Sequence, residues 1–262
     1  MSLPSPWLRH AEGTAPPLAR LLCLGHAGGG ASSFNGWRAV LPDWLELVKV
    51  QLPGREDRRD TPPCERVEEV LPPLFAQVRA LLDLPLVIYG HSMGALIAFE
   101  LASELRRQQE PPPLALFISG RRAPHKPLRP AHELHTLPEP ALVDRLHALG
   151  GIPPGLLGTA KRREYYLPTI RADLALSDEY AYRREPPLPF PLHTFIGEHD
   201  NLVVREDWEA WSELAGGTFT RRVLPGGHFF GKEGQAVLIT SIVEGVRATL
   251  SASTPTPLRS AS

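Results

Sequence analysis

Six short strand-like runs punctuate the chain, at residues 18–24, 45–52, 86–89, 114–118, 192–196 and 219–224, each bounded by glycine or proline. The first, an apolar run ended by Gly25, predicts a strand buried on both faces. Between them the apolar positions repeat at helical spacing. Val67, Val70, Leu71, Leu74, Val78, Leu81 and Leu82 mark one such face, and residues 94–107 and 235–250 carry similar ones. Pro72 and Pro73 imply that the first of these helices starts there or bends. Strands alternating with helices predict an α/β fold, a three-layer sandwich with a mostly parallel central sheet.

The alternation stops between Ser119 and Leu192, where residues 140–149 and 165–182 look helical and no strand is found. This interruption predicts an inserted helical lid over about residues 124–190. Within it Gly150 suits the left-handed residue after a helix end, and Pro153 cannot continue the helix, so residues 149–154 read as hinges. The expected organisation is an N-terminal extension at 1–17, one domain at 18–250 carrying the lid, and a flexible C-terminal tail at 251–262 rich in Ser, Thr and Pro.

Composition narrows the classes of function. The 262 residues carry a formal net charge of -1, with 42% apolar and 22% charged positions, so a large core is available. No basic arm or zinc-finger spacing is present, which argues against nucleic acid as a partner. Two cysteines, Cys23 and Cys64, are too few for a disulfide framework and fit a reducing compartment. The first residues lack the basic and apolar regions of a signal peptide, and no apolar run approaches a membrane span. The expectation is a cytoplasmic, monomeric enzyme with no membrane partner.

The chemistry starts where the apolar run at 86–89 meets Gly90-His91-Ser92-Met93-Gly94 and then a helical pattern. A Gly-x-Ser-x-Gly turn between strand and helix is a nucleophile elbow, which projects the serine hydroxyl above the sheet edge. A serine needs a general base, and the base needs an orienting carboxylate. Asp200 and His228 each fall just past the end of a predicted strand, giving the order serine, acid, histidine of the α/β-hydrolase fold. Glu198 and Asp207 are rival acids; His199, next to Asp200, is poorly placed as a base. Of the other histidines, His26 and His91 read as packing groups. Acyl transfer also needs donors for a developing oxyanion. Met93, after the nucleophile, supplies one backbone amide, and Ala27 in the glycine-rich loop at 25–30 supplies the second.

With these residues in place, a family resemblance emerges. His26-Ala-Gly-Gly-Gly-Ala-Ser-Ser-Phe34, Val50-Gln-Leu-Pro-Gly-Arg-Glu56, Gly90-His-Ser-Met-Gly94, Leu167-Pro-Thr-Ile-Arg-Ala-Asp173 and Gly226-Gly-His-Phe-Phe230 resemble, in order, the type II thioesterases of polyketide and nonribosomal peptide assembly lines. Medium-chain fatty-acyl thioesterases are similar. The resemblance implies hydrolysis of acyl groups from the phosphopantetheine arm of an acyl or peptidyl carrier protein, with Ser92, Asp200 and His228 as the triad. It implies no metal and no cofactor of the protein's own, since phosphopantetheine arrives on the substrate protein. A small-ester esterase or lipase, or a product-releasing or cyclising thioesterase, would use the same residues. The lid would gate the acyl site through Tyr165, Leu167, Ile170 and Leu174, expected on one apolar face. Residues 121–184 hold 11 Lys/Arg against 7 Asp/Glu. The clusters Arg121-Arg122, Lys161-Arg162-Arg163 and Arg183-Arg184 are therefore candidates for steering an acidic carrier protein.

Overall fold

The computed structural model describes residues 5–11, 13–129, 133–153 and 155–253. Seven strands form one sheet in the order β1-β3-β2-β4-β5-β6-β7. They are β1 (Leu8–Ala11), β2 (Ala19–Leu24), β3 (Leu45–Val50), β4 (Leu86–His91), β5 (Ala115–Ser119), β6 (Leu192–Gly197) and β7 (Phe219–Leu224). The neighbours from β3 through β7 are parallel, and β1 alone runs antiparallel, pairing Leu8 with Val50 and Ala11 with Leu47. The central sheet is thus mostly parallel, as the alternation predicts. The sheet nevertheless starts earlier in the chain than residue 18: β1 lies inside the segment read as an N-terminal extension. Its four residues bury only Leu8 fully, so no apolar run announces it.

Alternate side chains of the central strands point to two separate cores. Leu22 and Leu24 of β2, Leu86 and Ile88 of β4, and Leu116 and Ile118 of β5 enter one layer. Their neighbours Leu21, Cys23, Val87, Tyr89, Ala115 and Phe117 enter the other. Both layers are closed by helices, so the side chains that these strands send to either face are apolar and buried, each large one contributing about 1.5–3 kcal/mol. Helices α1 (Val67–Val78) and α2 (Met93–Arg107) supply the first layer, and α6 (Gly231–Ser253) supplies the second.

Helix α1 passes through Pro72 and Pro73 rather than starting at them. The two missing N–H groups would have served the carbonyls of Glu68 and Glu69, residues on the exposed side, where water replaces the lost bonds.

Between β5 and β6 the chain forms α3 (Glu139–Leu149) and α4 (Ala160–Asp178). Leu134, Leu142, Leu146, Leu157, Leu167, Ile170 and Leu174 build a third apolar cluster inside this insertion, with Ala27 and Leu202 packed against it. Leu188 and Phe190 already belong to the main core, so the insertion rejoins the sheet slightly before β6. Gly150 ends α3 with a φ of 80°, the left-handed residue expected there. Helix α4 begins at Ala160, five residues ahead of the expected start, capped by Thr159, whose hydroxyl accepts the Arg162 N–H. It ends at Asp178, short of Tyr182. Of the apolar face expected on it, Leu167, Ile170 and Leu174 are buried, whereas Tyr165 is exposed under the guanidinium of Arg59, 2.9 Å from the ring centroid. Pro154 of the hinge segment and residues 254–262 of the tail lie outside the described residues.

The short helix α5 (Arg205–Glu209) follows β6. Among the described residues, no helix is long and apolar enough to cross a membrane.

Candidate active site

Strand β4 delivers Ser92 to the start of α2 in a conformation that side chains rarely adopt, φ 55° and ψ -115°. Such a residue persists only if its surroundings fix it. Here the Ser92 N–H donates to Ser119 O at 2.9 Å, and Ser92 O accepts from Ala95 N. The flanking glycines exist for close approach. A Cβ on Gly90 would overlap the backbone of Gly94 and Ala95, and one on Gly94 would overlap the carbonyl oxygens of Leu24 and Gly25. Because backbone cannot swing aside as a side chain does, Gly94→Ala should cost about 1–3 kcal/mol or more and lower the melting temperature by several degrees. Gly36→Ala, with nothing within 4 Å and φ of -76°, should melt within a degree of the parent, so a pair of thermal melts checks the contrast.

The ends of β6 and β7 bring Asp200 and His228 together. The His228 ring meets the Asp200 carboxylate through Nδ1 and Oδ2 at 2.9 Å, with side chains only 2% and 0% exposed. The other carboxylate oxygen accepts the N–H groups of Leu202 at 2.9 Å and Val203 at 3.1 Å. Burial pushes the Asp200 carboxyl up, but its bond to His228, the imidazolium charge and these two amides outweigh that and hold it below the ordinary carboxylate value. It therefore stays an ion that orients the ring with Nδ1 protonated and leaves Nε2 free to accept a proton.

The rival groups are placed elsewhere. Glu198 and His199 are exposed, and Asp207, on α5, borders the same cavity as Ser92 but accepts from Arg129 at 3.2 Å. His91 packs behind the site, its Nδ1 2.8 Å from Ser119 Oγ, and burial, then the charges of His228 and His26, push it well below its usual value. Burial with the nearby His228 and Arg55 lowers His26 to about 4. Both rings stay neutral, sandwiched with Phe229 at centroid distances of 4.8 Å and 5.2 Å.

Ser92 and His228 are connected through the turn after β5. Ser119 O holds the Ser92 amide, and the next residue, Gly120, faces the histidine ring: a Cβ there would sit 3.2 Å from His228 Cε1. Among the described residues no hydrogen bond yet closes between Ser92 Oγ and His228, a bond that commonly tightens only around substrate. Ser92, Met93 and Ala27 line one cavity, whose apolar wall includes Leu174 and Leu202. Ala27 also lines a groove of 450 Å³ running along Gly28, Arg55, Tyr166 and Ile170. The lid presses on this region, since a Cβ on Gly151 would overlap the ring of Phe229 beside His228.

Sequence reasoning missed the two amides that hold Asp200 and the turn that carries Gly120; both act through backbone, which side-chain type does not reveal. Among the described residues no group of three or more His, Cys, Asp or Glu could hold a metal ion. Ser92, His228, Asp200 and the amides of Met93, at a helix start, and Ala27, in a glycine loop, are groups that could serve as nucleophile, base, orienting acid and oxyanion donors in an acyl transfer.

Comparison with known proteins points the same way. The thioesterase domain family matches residues 19–249. The gramicidin S biosynthesis protein GrsT of Aneurinibacillus migulanus is 34% identical over 244 residues, 93% of this chain and 95% of GrsT. Thioesterase PikA5 of Streptomyces venezuelae is 33% identical over 225 residues, 86% of this chain and 79% of PikA5. The solved structure of the type II thioesterase BorB from the borrelidin biosynthetic cluster superposes with a TM-score of 0.83 at 35% identity, covering 92% of this chain and 98% of BorB.

Proposed function

Because the chain belongs to the thioesterase domain family, we propose that its Ser92, His228 and Asp200 hydrolyse acyl groups from the phosphopantetheine arm of an acyl or peptidyl carrier protein. The enzyme is a thioester hydrolase of the type II group of polyketide and nonribosomal peptide biosynthesis. The observation that carries the residue assignment is the buried Asp200–His228 pair, joined to the strained elbow through Ser119 and Gly120.

In the first step His228 Nε2 takes the Ser92 proton as Oγ attacks the thioester carbonyl, and the Ala27 and Met93 amides receive the oxyanion. Collapse of the tetrahedral intermediate expels the thiol, which takes the proton back from His228. In the second step His228 removes a proton from water as it attacks the acyl carbonyl; collapse then breaks the Ser92 Oγ–acyl bond, His228 returns the proton to Oγ, and the acid is freed. The cavity and the groove that meet at Ala27 give the scissile bond room on both sides. No cofactor of the protein's own enters this scheme.

The decisive experiment is loss of acyl mass from a panel of acyl carrier proteins, run beside acyl-CoA and simple esters. Faster turnover of simple esters than of any carrier-bound thioester would overturn the substrate class.

The charge clusters sort by burial. Arg121 is only 6% exposed and bonds to Ser177, so it cannot meet a partner protein. Arg163 pairs with Glu139 at 2.8 Å, and Arg183 with Glu185 at 3.2 Å. Arg183 and Arg184 are exposed all the same, as are Lys161 and Arg162 at the start of α4, where Arg162 also donates to Gly155 O at 2.6 Å; this last pair is the site we assign to steering an acidic carrier protein. Lys161→Glu with Arg162→Glu should cut kcat/KM for acyl carrier protein several-fold at low salt and leave turnover of acyl-N-acetylcysteamine unchanged. Equal kinetics on the carrier protein at low ionic strength would remove this site of docking.

A further inference from the structure

Two of the sequence motifs have no part in the chemistry above, Gln51-Leu52-Pro53-Gly54-Arg55-Glu56 and the stretch of α4 that ends in Asp173. In the structure both converge on the glycine-rich loop. Asp173 is 1% exposed, and its carboxylate receives two bonds from Arg55, itself buried, Nη1 at 2.6 Å and Nη2 at 2.7 Å. The same Oδ2 accepts the Gly28 N–H at 2.6 Å. Arg55 Nη1 also reaches Gly29 O at 3.1 Å, and Thr169, one turn before Asp173, donates to Gly54 O at 2.7 Å. Gln51 Oε1 accepts from Ala31 N at 2.7 Å, and Glu56 Oε1 accepts from Ser32 N and Oγ. Glu56 does so from a positive φ of 46°, a strained backbone that its surroundings must hold.

The loop itself is a tight turn closed by Gly29 N donating to His26 O at 2.9 Å, with Gly28 at φ 77° in its third position. That is the arrangement of a type II turn, in which the central peptide, between Ala27 and Gly28, can flip to the type I form. The two ends of this peptide are Ala27 O and the Gly28 N–H, and Asp173 holds the N–H. The turn bond fixes the neighbouring peptide, whose two ends are His26 O and Ala27 N.

The geometry points to Asp173 as a positioning residue: from lid helix α4, and with Arg55 as its counterion, it locks the turn that aims the Ala27 amide at the oxyanion. The lid helix and the oxyanion site are therefore one rigid joint, tight enough that a Cβ on Gly28 would lie 2.8 Å from Ile170 Cγ1. A donor that serves only the transition state affects kcat rather than substrate binding.

This inference rests on the serine mechanism above, and the test separates the two. Active sites are counted by the p-nitrophenolate released when an alkyl p-nitrophenyl phosphonate is run to completion, and turnover of a short acyl-N-acetylcysteamine is then expressed per counted site. For Asp173→Asn, kcat per site should fall about 10- to 100-fold with KM within about threefold. Inhibition by a trifluoromethyl ketone analogue, which forms an oxyanion with serine, should weaken by a similar factor. Arg55→Lys keeps a positive charge but loses the two-pronged bond, and should show the same split to a smaller degree. It carries the test alone if Asp173→Asn does not fold. Unchanged kcat per site, with only fewer sites or a lower melting temperature, would overturn the proposal and leave Asp173 a structural tie. A raised KM at constant kcat would overturn it as well. Absence of p-nitrophenolate release from the parent enzyme would instead refute the serine mechanism itself.

Discussion

Ser92→Ala should lower kcat by at least about 10³-fold while leaving the melting temperature and the circular dichroism spectrum close to those of the parent. The hydroxyl contributes no hydrogen bond to the fold among those described around the elbow; the Ser92 backbone does the holding, through Ser119 O and Ala95 N, and alanine keeps both. What remains without the nucleophile is binding and oxyanion stabilisation, enough for a small rate above that in water. Mass spectrometry during turnover supplies the second reading: an acyl adduct on the parent protein, none on the variant. Retention of more than about a tenth of parental kcat would refute Ser92 as the nucleophile.

The acid is the second position with a large expected effect. Asp200→Asn should reduce kcat by about 10³- to 10⁴-fold, since an amide in this place donates to His228 Nδ1 and drives the proton to Nε2, where the ring can no longer accept from serine. The Leu202 and Val203 amides can still bond to the asparagine oxygen, so the loop should keep its shape. Asp207→Asn should do little, because that carboxylate faces Arg129 and its backbone carbonyl, which holds Ala123 N, is untouched. The two variants assayed together decide the assignment: a severe loss at Asp207 with a mild one at Asp200 would reverse it.

The central strands could be read from the chain because both faces of the sheet are covered, so Leu21, Leu22, Cys23 and Leu24 are all apolar and all buried. The same physics hides β1, an edge strand whose exposed side asks for nothing apolar. The early start of α4 was missed because Lys161, Arg162, Arg163 and Glu164 carry no apolar spacing; the signal that marks it is the cap at Thr159. In the candidate site, residue type singled out Ser92, Asp200 and His228, each of which the structure places one short turn past a strand end. It gave motifs without roles at Gln51, Arg55, Glu56 and Asp173, because their partners lie on segments up to 145 positions apart. It also overcounted the surface charge of the lid, as Arg121 is spent inside the protein.

The twisted backbone at Ser92 has a bearing on how this enzyme could be improved. A non-glycine residue held at φ 55° costs on the order of 1–3 kcal/mol, which glycine would relieve at the expense of about 0.5–1 kcal/mol of extra chain entropy lost on folding. Ser92→Gly is thus a substitution that a screen for heat-resistant folded protein would favour and a screen for turnover would discard. Selection for durability alone would move the chain toward a well-folded protein with no nucleophile, so at this position stability and activity have to be selected together.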